Sequence, residues 1–335
     1  VTSKILSLTL ILFSINLIAN ESNLSNEIAV LKQSFEQKKY QTVIDKIEAG
    51  KNTSLEKSLL LSQSYYRSNK LDIAENIITP LLKLNLNHSK TNYVYASIMA
   101  AQAQNSIFSA LSYAKKALDG FKKALQLEPT NLNYLSALMQ FYIKAPSIAG
   151  GDMAEGKKLV EQITKLDARE GFDAQLAYFM QDDNEDALEE LFNKGLKQYP
   201  DDIALHVAIG HTYWSDKELE KAQKYFIKAS QFPLAINKKT NKIEQYEIDN
   251  HLEALYFSGR IATETKEKLD IGITALENYI KQVNTPNDSY YQWAHFRLAQ
   301  LYKLNKQPDK ANTYFNWAYN NATDNKLKRK AKKQI

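Results

Sequence analysis

The chain has 335 residues, 44% hydrophobic and 24% charged, which is the composition of a globular protein and excludes a disordered tail. Only 10 Gly and 7 Pro in this length, beside abundant Leu, Ala, Lys and Glu, exclude a substantial sheet and predict helix, and the lack of any Cys excludes disulfides and thiol chemistry. The net charge of +5 is concentrated at the C-terminus, where Lys326, Lys328, Arg329, Lys330, Lys332 and Lys333 carry six positive charges; the body is close to neutral, which argues against a nucleic-acid-binding face.

In chain order, the first element is an uncharged apolar run from Ile5 to Ala19 behind Lys4. Those flanks predict an export signal over 1–19, with cleavage after Ala19; an uncleaved anchor is the alternative. The initial Val points to a bacterial start codon, and without Cys the expected location is a soluble periplasmic one, or the inner membrane if the run is retained. The stretch "LSQSYYRSNKLDIAENIITPL" at 61–81 follows, with Leu61, Ser62, Tyr65, Ala74, Ile78 and Leu81 at steps of 1, 3, 9, 4 and 3. The same steps return at 209–229 through Ile209, Gly210, Tyr213, Ala222, Phe226 and Ala229, and at 298–318 through Leu298, Ala299, Tyr302, Ala311, Phe315 and Ala318. Steps of three and four place residues on one helix face, so each copy reads as two helices with a turn inside the step of nine. Ala117, Phe121, Ala124 and Pro129 supply a further second helix. Small residues at 210, 222 and 229 let two antiparallel helices approach, with Tyr213 and Phe226 filling the wedge between them.

These residues resemble the tetratricopeptide repeat, a helix-turn-helix unit of about 34 residues that stacks into a superhelix. The resemblance implies an all-α solenoid of about seven to eight antiparallel helix pairs, with weaker copies around Val43 and Ile47, Leu138 and Tyr142, Ala187 and Pro200, and Gly259, Gly272, Leu276 and Tyr279. Repeats then occupy 20–234 and 250–324, the polar stretch 235–249 is a loop or joint, and 325–335 is a basic cap or tail. The offset between the copies is not a multiple of the repeat, so extra residues are inserted. Two further inserts are 102–116, whose apolar residues predict lengthened helix, and 143–156.

Chemistry finds little support. "GDMAEGKK" matches a phosphate loop at Gly151, Gly156 and Lys157, but Lys158 replaces the magnesium-binding hydroxyl, Asp152 and Glu155 would repel phosphate, and no strand precedes it; a Gly turn with Asp152 capping the next helix is the expectation. The five His include no i, i+4 pair for zinc, and His295 sits where the family often has Trp, which suits a structural ring. No catalytic, cofactor or metal site is predicted, and no small-molecule substrate is expected.

The resemblance implies a groove lined by first helices. Carried over residue by residue, its lining is Leu59, Gln63, Tyr66 and Arg67 early, Val207, His211 and Trp214 in the middle, Tyr256 and Arg260 in a weaker copy, and Trp293, Phe296 and Gln300 late. Each of these could instead pack on a neighbouring repeat. The expected function is a noncatalytic scaffold holding a protein segment; the alternative is a membrane-associated assembly subunit, retained by the N-terminal run and a basic tail attracted to anionic lipid.

Overall fold

The computed structural model describes residues 25–50, 54–237, 242–283 and 288–335; the predicted export signal lies outside them. They fold as an all-α array of antiparallel helix pairs. Helical residues 25–36 (α1) precede α2 (Tyr40–Ala49), α3 (Leu55–Arg67), α4 (Leu71–Leu84), α5 (Ser89–Asn105), α6 (Ala110–Leu127), α7 (Leu132–Lys144), α8 (Met153–Leu166) and α9 (Ala168–Gln181). Then come α10 (Glu185–Gln198), α11 (Ile203–Ser215), α12 (Leu219–Gln231), α13 (Gln245–Thr265), α14 (Leu269–Val283), α15 (Ser289–Leu304), α16 (Pro308–Asn321) and α17 (Asn325–Lys332). The chain divides into two compact units, one up to Leu191 and one from Phe192.

The repeated step of nine has a local cause. In α3, α11 and α15 the repeat aromatic stands two residues before the last helical one, and its carbonyl accepts a returning amide: Lys70 N to Tyr65 O at 2.9 Å, Glu218 N to Tyr213 O at 2.8 Å and Gln307 N to Tyr302 O at 2.9 Å. Asn69, Lys217 and Lys306 take the left-handed conformation this closure needs, with φ of 58°, 64° and 56°. Six residues after each aromatic the second helix begins, at Leu71, Leu219 and Pro308. The first helices start instead on side-chain caps: Ser54 accepts from Lys57 N, Asp202 from Leu205 N and Asp288 from Tyr291 N.

Each pair then closes on the residues read from the sequence. Ile209, Ala222, Phe226 and Ala229 are fully buried in one copy, as are Leu298, Ala299 and Ala318 in another, and Ser62, Ala74 and Ile78 in the third. The core of the first unit runs through Ile44, Leu59, Ile98, Met99, Leu135 and Ile163. That of the second runs through Ile203, Phe226, Leu276, Leu298 and Phe315. Helix α17 packs on it, burying Leu327 and Ala331 while its Lys residues stay outside.

The inserts differ from expectation in detail. The stretch 235–249 is no continuous loop: Ile236–Asn237 pairs antiparallel with Lys242–Ile243, and Gln245 already opens α13. The division into compact units falls within α10 instead. Residues 102–116 do lengthen helix, extending α5 to Asn105 and starting α6 at Ala110, with a turn between. In 143–156, Gly150 takes φ of 96°, a Cβ on Gly151 would lie 1.7 Å from Ala145 O, and Asp152 accepts from Ala154 N and Glu155 N to cap α8. The phosphate-loop look-alike is thus a turn and a helix start, with Gly156 packed inside α8 against Ile143.

Ala222→Leu, inserting bulk at a fully buried site between α11 and α12, is expected to destabilise by about 1–3 kcal/mol in urea unfolding. Lys217→Gly relieves a left-handed residue while loosening the unfolded chain, and is expected to raise stability by up to about 1 kcal/mol in the same measurement.

Candidate functional site

The groove residues proposed from the sequence separate into two groups. Leu59, Val207, Tyr256 and Phe296 are 1%, 3%, 4% and 4% exposed, so they are core and offer no surface, contrary to expectation. Successive first helices touch (α3 with α5, α11 with α13, α13 with α15); Tyr256 meets Tyr290 of α15 edge-on at 5.0 Å, and Phe296 meets Phe315 of α16 edge-on at 5.5 Å. Gln63, Tyr66, His211, Trp214, Arg260, Trp293 and Gln300 are half-buried and Arg67 is exposed.

In the second unit, four of these join a continuous aromatic and cationic face. Trp214 and His211 project from α11, where His211 Nε2 lies 2.9 Å from Glu253 Oε1 and its ring meets Phe257 edge-on at 4.6 Å. The Arg260 guanidinium lies over the Trp214 ring, 4.5 Å from its centroid, and Arg260 Nε donates to Glu264 Oε1 at 2.9 Å. Glu264 also faces the Arg297 guanidinium at 3.8 Å. Arg297 in turn lies 5.6 Å from the Trp293 centroid, and Lys330 of α17 lies 5.6 Å from the same ring. The order Trp214, Arg260, Glu264, Arg297, Trp293, Lys330 therefore crosses α11, α13, α15 and α17. Such cation–aromatic contacts contribute about 0.5–1 kcal/mol each when exposed and more when desolvated.

Phe257, Glu264 and Arg297 were not singled out from the sequence. A signal was available, since Glu264 follows Arg260 and Arg297 follows Trp293 at the i, i+4 spacing that places side chains together on a helix. Gln63, Tyr66 and Arg67 lie on α3 in the first unit, where Tyr66 lines a recess with residues of α5 and α7 and the Arg67 guanidinium is 5.5 Å from the Tyr66 centroid.

The buried His residues serve structure. His206 Nε2 lies 2.8 Å from Pro200 O, and His295 stacks on Trp317 at 3.5 Å with its Nδ1 2.9 Å from Tyr291 O. Burial lowers the pKa of both below the ordinary 6.5. Among the described residues no group of three or more His, Asp or Glu could hold a metal ion, and no helix is long and apolar enough to cross a membrane.

No protein-family model and no curated protein matches the chain. Among solved structures it is similar to yeast Tom70, at 17% identity and a TM-score of 0.46 over 85% of this chain and 64% of that one. It is also similar to a tetratricopeptide repeat protein from Parabacteroides merdae, at 13% identity and a TM-score of 0.48 over 82% of this chain and 96% of that one. A third is PilF of Pseudomonas aeruginosa, at 14% identity and a TM-score of 0.41 over 71% and 95%. The chain thus spans just under two thirds of Tom70. Its own helix pairs and their closures define the fold as a tetratricopeptide-type α-solenoid.

Because a depressed His pKa means that the unfolded chain binds protons the folded chain resists, the stability tied to His206 and His295 is complete above pH 6.5 and is lost as pH falls through their folded values. Urea midpoints measured from pH 7.5 downward are expected to decline below pH 6.5, with a shallower decline in His295→Phe.

Proposed function

We propose that the protein is a noncatalytic interaction scaffold that holds a segment of another protein along the first helices of its second unit. The observation that carries this reading is the pair of half-buried Trp–Arg stacks, Trp214 with Arg260 and Trp293 with Arg297, joined through Glu264. Trp and Arg dominate protein-binding hot spots because they combine large apolar area with hydrogen-bonding edges. The stacks and ion pairs fix these rotamers before any partner arrives, which lowers the entropy cost of binding. The same places on the buried side of the seam, Tyr256 and Phe296, brace the surface residues from beneath: Arg297 Nε donates to Tyr256 Oη at 3.3 Å and Phe296 meets Trp293 edge-on at 5.8 Å.

The proposal extends to location. The apolar run Ile5–Ala19 behind Lys4 supports export with cleavage near Ala19, which N-terminal sequencing of the mature protein tests. For the binding face, Trp214→Ala and Trp293→Ala are each expected to weaken partner capture by about 2 kcal/mol or more, read as recovery of crosslinked partners from intact cells. Their unfolding free energies should fall by less than the roughly 3–5 kcal/mol of an emptied core Trp site. Large destabilisation with undiminished capture by the folded fraction would assign both residues to packing and remove this reading.

A further inference from the structure

Residues 289–335 hold ten Lys and Arg against two carboxylates, Asp309 and Asp324, while the whole chain is only +5, so the rest of it is net negative. Most of this positive charge lies on α17, and its two inward residues decide how it is displayed. Leu327 and Ala331, four apart, are fully buried on the side that packs against α15 and α16. At about 100° per residue, Lys328, Lys332, Arg329, Lys333, Lys326 and Lys330 then follow one another around the outward arc. All six are exposed, and Asn325, also exposed, lies among them.

No carboxylate neutralises this arc. Asp324 accepts from Lys326 N as the N-cap, and among the described residues none of the six cations is ion-paired, whereas Arg260 and Arg297 share Glu264 and Lys221 pairs with Glu218. Lys303 of α15 extends the field, its Nζ donating to Gln334 Oε1 at 3.0 Å. Cations this close repel one another and draw a polyanion to the surface. Five of the six are Lys, a flexible point charge, where recognition of nucleic-acid phosphates favours the planar fork of Arg. The rings at the edge, Tyr319 and Trp293, are half-buried with Lys328 and Lys330 over them at 5.7 and 5.6 Å, so neither is a free platform for a base. Ile335, 55% exposed, follows directly on the cations, and Lys with Trp, Tyr and an exposed apolar residue is the composition of a membrane interface. We infer that the outward face of α17 docks on an anionic bilayer surface, its Lys and Arg against lipid phosphates and Ile335 in the headgroup layer. The long Lys stems let the cations at the flanks of the arc reach the same plane. This contact touches the Trp–Arg face only at Lys330 and does not rest on the protein-binding reading.

The full chain has no Cys, so Asn325→Cys carries a single polarity-sensitive fluorophore on the outward arc, and Glu220→Cys carries it on α12 as a control. Vesicles of phosphatidylglycerol mixed with phosphatidylcholine are expected to blue-shift the α17 label at about 0.15 M salt. Vesicles of phosphatidylcholine alone should not, and the control label should respond to neither. The label reads α17 itself, so insertion of the apolar run Ile5–Ala19 does not stand in for the contact. Lys332→Gln with Lys333→Gln should raise the anionic lipid needed for the same shift at least about tenfold, since each cation near the surface contributes about fivefold. Lys332→Arg with Lys333→Arg should not raise it, and thermal unfolding should be unchanged in both, because the two positions are exposed. Trp214→Ala should leave the shift in place, which separates this contact from partner capture on the Trp–Arg face. No shift on the anionic vesicles, an equal shift on the neutral ones, or indifference to the Gln pair would overturn the proposal. A single-stranded oligonucleotide or an acidic peptide that shifts the label at a lower concentration of negative charge than the vesicles do would overturn it in favour of that partner.

Discussion

Helix pairs close where a small residue on one helix lets the other approach, as Gly210 does for Phe226, Gly259 for Leu276, Gly156 for Ile143 and Gly120 for Ala96, and the rest of the architecture depends on that close approach. A Cβ on Gly210 would meet the Phe226 ring at 3.0 Å, and one on Gly259 would fall 2.2 Å from Leu276 Cγ. With the backbones brought this near, Phe226 and Leu276 are fully buried, and each pair still presents an apolar flank that it cannot cover alone. The next pair covers it, which is why the stack propagates by neighbour contacts.

Polar bonds pin the stacked pairs at a repeated place. The Tyr65 hydroxyl donates to Glu48 on the second helix of the preceding pair, and Tyr302 donates to Glu277 in the same relation. Tyr65 and Tyr302 therefore each do three jobs: the ring fills the pair, the carbonyl closes the turn, and the hydroxyl holds the neighbour. The bond to Glu48 and burial push the Tyr65 hydroxyl up to about 12, so it keeps its donor proton across the physiological range.

Two surface features lie on top of this frame. In the second unit, residues of ordinary repeats form the Trp–Arg face, because adjacent first helices bring i, i+4 pairs from different helices side by side. In the first unit, a recess is lined by α3, α5 and α7 together with residues of 102–116 and 143–156. The Trp–Arg face rests wholly on helices, so its side chains are held by packing and do not depend on loop order.

The sequence by itself determined the helices, their pairing and the buried set Ala222, Phe226, Ala229, Ala311, Phe315 and Ala318, because those depend on spacing along one chain segment and on a turn with its own hydrogen bonds. It also located the inserts and identified the Gly150–Gly151 turn with its Asp152 cap. What only the tertiary structure decided was the fate of side chains beside the packing stripe. Leu59, Val207, Tyr256 and Phe296 share their helix faces with Tyr66, Trp214, Arg260 and Trp293, yet the first four are buried and the others are not. That outcome is set by the offset between neighbouring pairs, a sum of contacts between residues distant in sequence, which no single-helix period encodes. The meeting of 102–116 with 143–156 around one groove has the same origin: each insert is visible alone, but only the stacking of α5, α6 and α7 places them face to face.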